Sequence, residues 1–127
     1  MTKTSLISVI IPTFNRKRYL AEAIASVLTQ TLPPFEVIVV DDGSTDDSAQ
    51  VVKQFPSVRY HFQTNSGAAT ARNQGAELAQ GNFLAFLDSD DLWLPDKLAR
   101  QLAAFEANTS LDIVFGHVQQ FYSPELN

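Results

Sequence analysis

The chain has 127 residues, 45% of them hydrophobic, and a formal net charge of −5. That length allows one domain with a fair core; the acidic balance argues against a general nucleic-acid binder; the absence of cysteine excludes disulfides and thiolate metal sites. No run of about 18 apolar residues marks a membrane span, and the stretch before Val9 lacks the long apolar core of a signal peptide, so a cytoplasmic location is expected.

Leu6-Ile-Ser-Val-Ile-Ile-Pro12 is β-branched and almost wholly apolar, as a strand covered on both faces should be. Pro12 ends it, and Thr13, Phe14, Asn15 and Arg16 form the next loop. Leu20, Ile24, Val27 and Leu28 recur at helical spacing and predict a helix over about 18–30, stopped by Pro33-Pro34. A second buried strand over 35–40 runs directly into Asp41-Asp42-Gly43-Ser44-Thr45-Asp46. A short helix over about 46–54 follows, with carboxylates in its first turn where the helix dipole favours them. Val58, Tyr60 and Phe62 alternate with Arg59 and His61, which suggests a strand near the sheet edge with His61 facing solvent. Ser66 is a candidate cap for a helix over about 67–80, whose first part is rich in small residues and permits close backbone approach. The apolar run 83–87 reads as a buried strand that ends abruptly in Asp88, Ser89, Asp90 and Asp91. Pro95 suits the first turn of a helix carrying Leu98, Leu102 and Phe105, and 112–121 reads as one more strand.

Strand and helix thus alternate four times before a final strand. The pattern implies an α/β, Rossmann-like, mostly parallel sheet with helices on both faces. Ligands of such sheets bind outside the carboxyl ends of the strands. The loops holding Thr13 and Asn15, Asp41 and Asp42, Asn65 and Gly67, and Asp88 to Asp91 therefore share one edge. Seven of the fourteen acidic residues fall in two of these loops. Carboxylates gathered in this way repel one another, and an oxygen-only set points to bound Mg²⁺ or Mn²⁺; separate solvated turns and helix caps are the plainer alternative. A cation with carboxylates and Arg72 suits a phosphorylated ligand, although Arg72 equally fits a surface residue paired with Glu77. Asp41, an acceptor only, suits a base or a sugar hydroxyl. Asp42 reads as well as a turn residue before Gly43, and Trp93 as core or crevice wall.

Other phosphate chemistries fit less well. The chain lacks a P-loop, and no Gly-x-Gly-x-x-Gly follows the first strand. A nucleotidyltransferase should carry a glycine-rich loop after strand one, where this chain has Pro12-Thr-Phe-Asn-Arg16. A response-regulator receiver needs a late lysine, and none follows Lys97.

Four ordered segments resemble family 2 glycosyltransferases of the GT-A fold, in their N-terminal, nucleotide-sugar-binding half. They are Val9-Ile-Ile-Pro-Thr-Phe-Asn15, Val39-Val-Asp-Asp-Gly-Ser-Thr-Asp46, Gly67-Ala-Ala-Thr-Ala-Arg-Asn-Gln-Gly75 and Phe86-Leu-Asp-Ser-Asp-Asp91, with Leu94-Pro95-Asp-Lys-Leu98 extending the last. The resemblance implies a nucleotide-diphosphate-sugar donor, most often a UDP-sugar. It implies donor contacts from Pro12, Thr13, Asn15, Asp41, Arg72, Asp88 and Ser89, and Mn²⁺ or Mg²⁺ on Asp90. It further implies inverting transfer to an acceptor hydroxyl of a carbohydrate, lipid or protein, as in the making of cell-envelope polysaccharides, with peripheral membrane association in a longer parent protein. The family's general base and acceptor-binding part have no counterpart in these residues. The expectation is therefore a single donor-binding domain over 1–127, a shortened GT-A fold with little transfer of its own, and self-association through an open edge. The competing expectation is a nucleotide-binding or interaction module that performs no chemistry.

Overall fold

The structure, a computed structural model, describes residues 6–108. Eight elements alternate: β1 (Ile7–Thr13), α1 (Lys17–Leu28), β2 (Glu36–Asp41), α2 (Ser48–Lys53), β3 (Val58–Phe62), α3 (Ala68–Leu78), β4 (Phe83–Phe86) and α4 (Lys97–Ala107). The strand expected over 112–121 lies outside the described residues. All four strands are parallel, in the order β3-β2-β1-β4, and β3 takes the edge position its alternation predicts.

Side chains alternate across the strands, so each face has its own core. Val9, Ile11, Val37 and Val39 point to the face that α1, α2 and α4 cover with Leu20, Ile24, Val27, Val52 and Leu98. Ile10, Ile38 and Val40 point to the other face, against Ala71 of α3. Burying each of these larger aliphatic side chains stabilises by about 1.5–3 kcal/mol. Gly75 sets how close α3 comes: a Cβ there would lie 2.5 Å from Ile10 Cγ2.

Several local expectations are corrected. Leu28 is exposed rather than part of the α1 stripe, and α1 ends at Thr29, ahead of the prolines. Asp46 and Asp47 precede α2 instead of occupying its first turn. Ser66 does not cap α3, because its hydroxyl donates to the Thr64 carbonyl at 2.7 Å. Pro95 lies just outside α4, whose N-cap is Asp96. In β4, Leu84 and Phe86 are 46% and 44% exposed. Their register partners Ser8 and Ile10 face α3, but α3 lies over β1 and β2, so among the described residues it leaves this face of β4 largely open.

Candidate functional site

Thr13 closes β1, and its register partner Asp41 closes β2. The Leu87 amide donates to the Ile10 carbonyl at 3.0 Å and carries β4 on to Asp88. Parallel strands bring these ends to one edge. The strand order reverses between β1 and β4, the place at which ligands of parallel sheets bind.

The pleat places Thr13 and Asp41 on the α1 side. Asp41 is 1% exposed; its Oδ1 accepts the Ser44 amide at 2.8 Å and its Oδ2 accepts the Tyr60 hydroxyl at 2.6 Å. A carboxylate has about four lone-pair directions, so two remain. Burial pushes the Tyr60 hydroxyl well above its ordinary value, as do its bond to Asp41 and the negative charges of Asp41 and Asp46. Tyr60 is thus a permanent donor. Beside this pair the Thr13 hydroxyl oxygen is buried with no hydrogen-bond partner among the described residues. Pro12, the preceding residue, is also buried.

Asn15 ties two loops together. Its backbone is left-handed, φ 50°, which Asn tolerates better than most residues. Its side-chain oxygen accepts the Thr45 and Asp46 amides at 2.9 and 3.3 Å, and its own amide donates to Ser44 Oγ at 2.8 Å. Asp46 accepts in turn from the Lys17 and Ser48 amides at 3.2 and 3.0 Å. Burial raises the Asp46 carboxyl, but the bonds from Ser48 and Lys17 and the Lys17 charge hold it below the usual carboxylate range.

Asp42 does far more than turn the chain. It is buried and binds the segment that leads into α3. Oδ1 accepts Gln63 Nε2 at 2.9 Å and the Ser66 amide at 2.7 Å; Oδ2 accepts the Gly67 amide at 2.9 Å and Asn65 Nδ2 at 3.3 Å. Burial pushes this carboxyl up, yet the bonds from Gln63, Ser66 and Gly67 outweigh it and lower the pKa. Gly43, at φ 85°, lets the two segments meet: a Cβ there would lie 2.8 Å from the Asn65 amide.

On the α3 side the carboxylates are open to solvent. Arg72 pairs with Asp88 at 3.0 Å, not with Glu77, and Arg16 approaches Asp90 at 3.8 Å. The paired side chains are 40–53% exposed, so each pair contributes at most about 1 kcal/mol and costs little to break. Ser89 is buried between the two carboxylates. Burial raises the Asp91 carboxyl, and the adjacent charges of Asp90 and Asp88 raise it further. That excess of negative charge is what a divalent cation relieves. No cluster of three or more acidic or histidine side chains forms a complete metal cage among the described residues. The oxygen-only side chains of this loop are of the kind that supplies one or two carboxylates to Mg²⁺ or Mn²⁺. Trp93 packs against the core, with Lys97 Nζ 5.7 Å from its ring centroid.

Tyr60 is the site residue that reading the sequence did not single out. The strand alternation was a usable signal, since it put Tyr60 and Asp41 at one end of neighbouring strands. No helix among the described residues is long and apolar enough to cross a membrane.

A parallel sheet with acidic, arginine-bordered loops at the β1–β4 switch point has the architecture of a GT-A nucleotide-sugar enzyme. Residues 8–126 match the family described as Glycosyl transferase family 2, and the chain belongs to that family of enzymes. It is 38% identical over 117 residues to the Escherichia coli UDP-Glc:alpha-D-GlcNAc-diphosphoundecaprenol beta-1,3-glucosyltransferase WfgD, covering 90% of this chain and 46% of that protein. Among solved structures, S. aureus TarS 1-349 in complex with UDP superposes with a TM-score of 0.77 at 35% identity, over 82% of this chain and 33% of that 1-349 chain. The mannosyltransferase PcManGT from Pyrobaculum calidifontis, in complex with GDP-Man and Mn²⁺, gives 0.71 at 28% identity, over 82% and 33%. The chain spans between 16% and 46% of the length of the curated relatives it matches.

Proposed function

We propose that this chain is the donor-binding part of an inverting, metal-dependent glycosyltransferase that takes a UDP-sugar. The observation that carries the reading is the meeting, on one sheet edge, of a buried polar pair, Thr13 and Asp41, with an exposed carboxylate–arginine cluster at Asp88 to Asp91. The two parts suit the two ends of a nucleoside diphosphate. Asp41 accepts an N–H of the base, and the Thr13 hydroxyl, otherwise unpartnered, donates to a neighbouring carbonyl. An imide edge such as that of uracil presents both groups. Pro12 walls the same end. Asp41 is closed over, so base entry requires a local shift of the 43–44 peptide, in the loop that Asn15 steadies from outside the pocket.

At the other end Arg72 turns from Asp88 to a phosphate oxygen, which frees Asp88 for a ribose or sugar hydroxyl, with Ser89 fixing the loop. Asp90 is the residue that would hold Mn²⁺ or Mg²⁺. A bound divalent ion there supplies charge neutralisation for the departing diphosphate. An acceptor hydroxyl then attacks the anomeric carbon from the face opposite the nucleotide, with its proton taken by a carboxylate. WfgD, which by its description makes a β-1,3 linkage from UDP-Glc on a lipid diphosphate, supports inversion and a cell-envelope acceptor. We place the general base and the acceptor site beyond these residues, since none of the carboxylates described above is set apart for that role.

Calorimetric titration of UDP with and without Mn²⁺, on wild type and Asp90→Ala, tests the reading. Binding should need Mn²⁺ and weaken at least tenfold in the variant. Equal binding by both proteins would remove Asp90 from the site.

A further inference from the structure

We propose that Tyr60 is a positioning residue that sets base selectivity. Its hydroxyl fixes Asp41 Oδ2 while the Ser44 amide on Oδ1 gives way to an N–H of the incoming base. The inference rests on Asp41 being the base acceptor, as read above.

Asp41 holds two donors of different mechanical character. Tyr60 belongs to β3, which pairs with β2 from Val37↔Val58 to Asp41↔Phe62, and its ring packs against the main core. That donor stays where the sheet puts it. Ser44 belongs to the loop between β2 and α2, where its own contacts are two hydrogen bonds, to Asn15 and to Asp41, while Asn15 also holds the neighbouring Thr45 and Asp46 amides. That donor can withdraw by a turn of the 43–44 peptide at the expense of those two bonds, with 45–46 left in place. Since Asp41 is 1% exposed, something over it must move before a base enters, and the loop amide is cheaper to displace than a phenol held by the sheet. The base N–H then occupies the direction the Ser44 amide held, 2.8 Å from Oδ1.

A carboxylate pinned in this way is a pure acceptor. It accepts from the N3–H of uracil and faces lone pair to lone pair with the N3 of cytosine. Without the phenol the carboxylate can rotate away from the direction that favours an N–H, and the discrimination against cytosine N3 weakens with it. Loss of Tyr60 should thus weaken UDP and narrow its advantage over CDP. A purely packing role for Tyr60 would lower stability and weaken both nucleotides alike.

The test is titration of UDP and CDP, with Mg²⁺, into full-length wild type and Tyr60→Phe, which keeps the ring in the core. We expect roughly a tenfold loss of UDP affinity, the equivalent of about 1.4 kcal/mol, a smaller change for CDP, and a reduced UDP/CDP ratio. An unchanged ratio overturns the inference. A wild type that binds UDP while the variant keeps its ratio overturns the role of Tyr60 alone; a wild type that binds neither nucleotide overturns the donor-site reading and this inference with it. Wild-type NMR provides a check that does not depend on the variant folding. On adding UDP with Mg²⁺ the Ser44 amide should shift and lose its exchange protection, while the Tyr60 hydroxyl proton stays protected. Loss of that hydroxyl protection would also overturn the assignment.

Discussion

Asp42→Ala isolates the contact that joins the β2 loop to the start of α3. Four donors converge on this carboxylate, two of them backbone amides, at 2.7–3.3 Å. Each bond to a charged acceptor is worth about 1.5–3 kcal/mol where its donor is left dry. The segment 63–67 is largely exposed, so freed donors regain water and the sum must be discounted. A net loss of about 2–4 kcal/mol follows, at the upper end of single-residue effects. Urea unfolding followed by far-ultraviolet circular dichroism and Trp93 fluorescence measures it at pH 7. The effect should also depend on pH. The folded-state pKa of Asp42 is lowered, so its contribution is complete above the unfolded value, about 3.9, and is lost as pH falls through the lower folded value. The gap between wild type and variant should therefore shrink below about pH 4. Asp46 titrates with the same sign and Asp91 with the opposite one, but both are common to the two proteins and cancel in the difference. A loss below about 1 kcal/mol at pH 7, or a gap that stays constant down to pH 3, would refute the reasoning.

Thr13→Val should leave the protein as stable or up to about 1 kcal/mol more stable by urea unfolding, because it removes a buried hydroxyl with no partner, while weakening UDP binding severalfold in a titration. Lower stability together with undiminished binding would contradict a ligand role for that hydroxyl. Gly75→Ala should destabilise by about 1–3 kcal/mol, since the new Cβ meets Ile10 Cγ2 at 2.5 Å, and combination with Ile10→Ala should cost less than the sum of the two changes. Arg72→Ala should lower UDP affinity while changing thermal stability little, because the Arg72–Asp88 pair is solvent-exposed; a large drop in melting temperature without loss of affinity would make the pair structural.

Much of the fold was legible in the sequence because its signals are local. The β-branched runs at 7–13 and 36–41 admit little but buried strands, and their alternation with helices dictates a parallel sheet. Parallel connection then requires the loops at Thr13, Asp41 and Asp88 to share an edge. The departures arise where side chains reach across the sheet. Asp41 and Tyr60 lie 19 residues apart, and no local pattern announces their bond. Ser66 has the chemistry of a cap, but Asp42 claims its amide, and the competition is visible only once both loops are in place. β4 reads as fully buried from composition, whereas the exposure of Leu84 and Phe86 follows from where α3 lies.

The most direct test of the account is a crystal structure of the protein with UDP and Mn²⁺. The account predicts the uracil against Thr13 and Asp41, the diphosphate between Arg72 and Asp90, and the ion on Asp90. Nucleotide bound away from the carboxyl edge of β1 and β4, or an ion that does not touch the Asp88–Asp91 cluster, would contradict it.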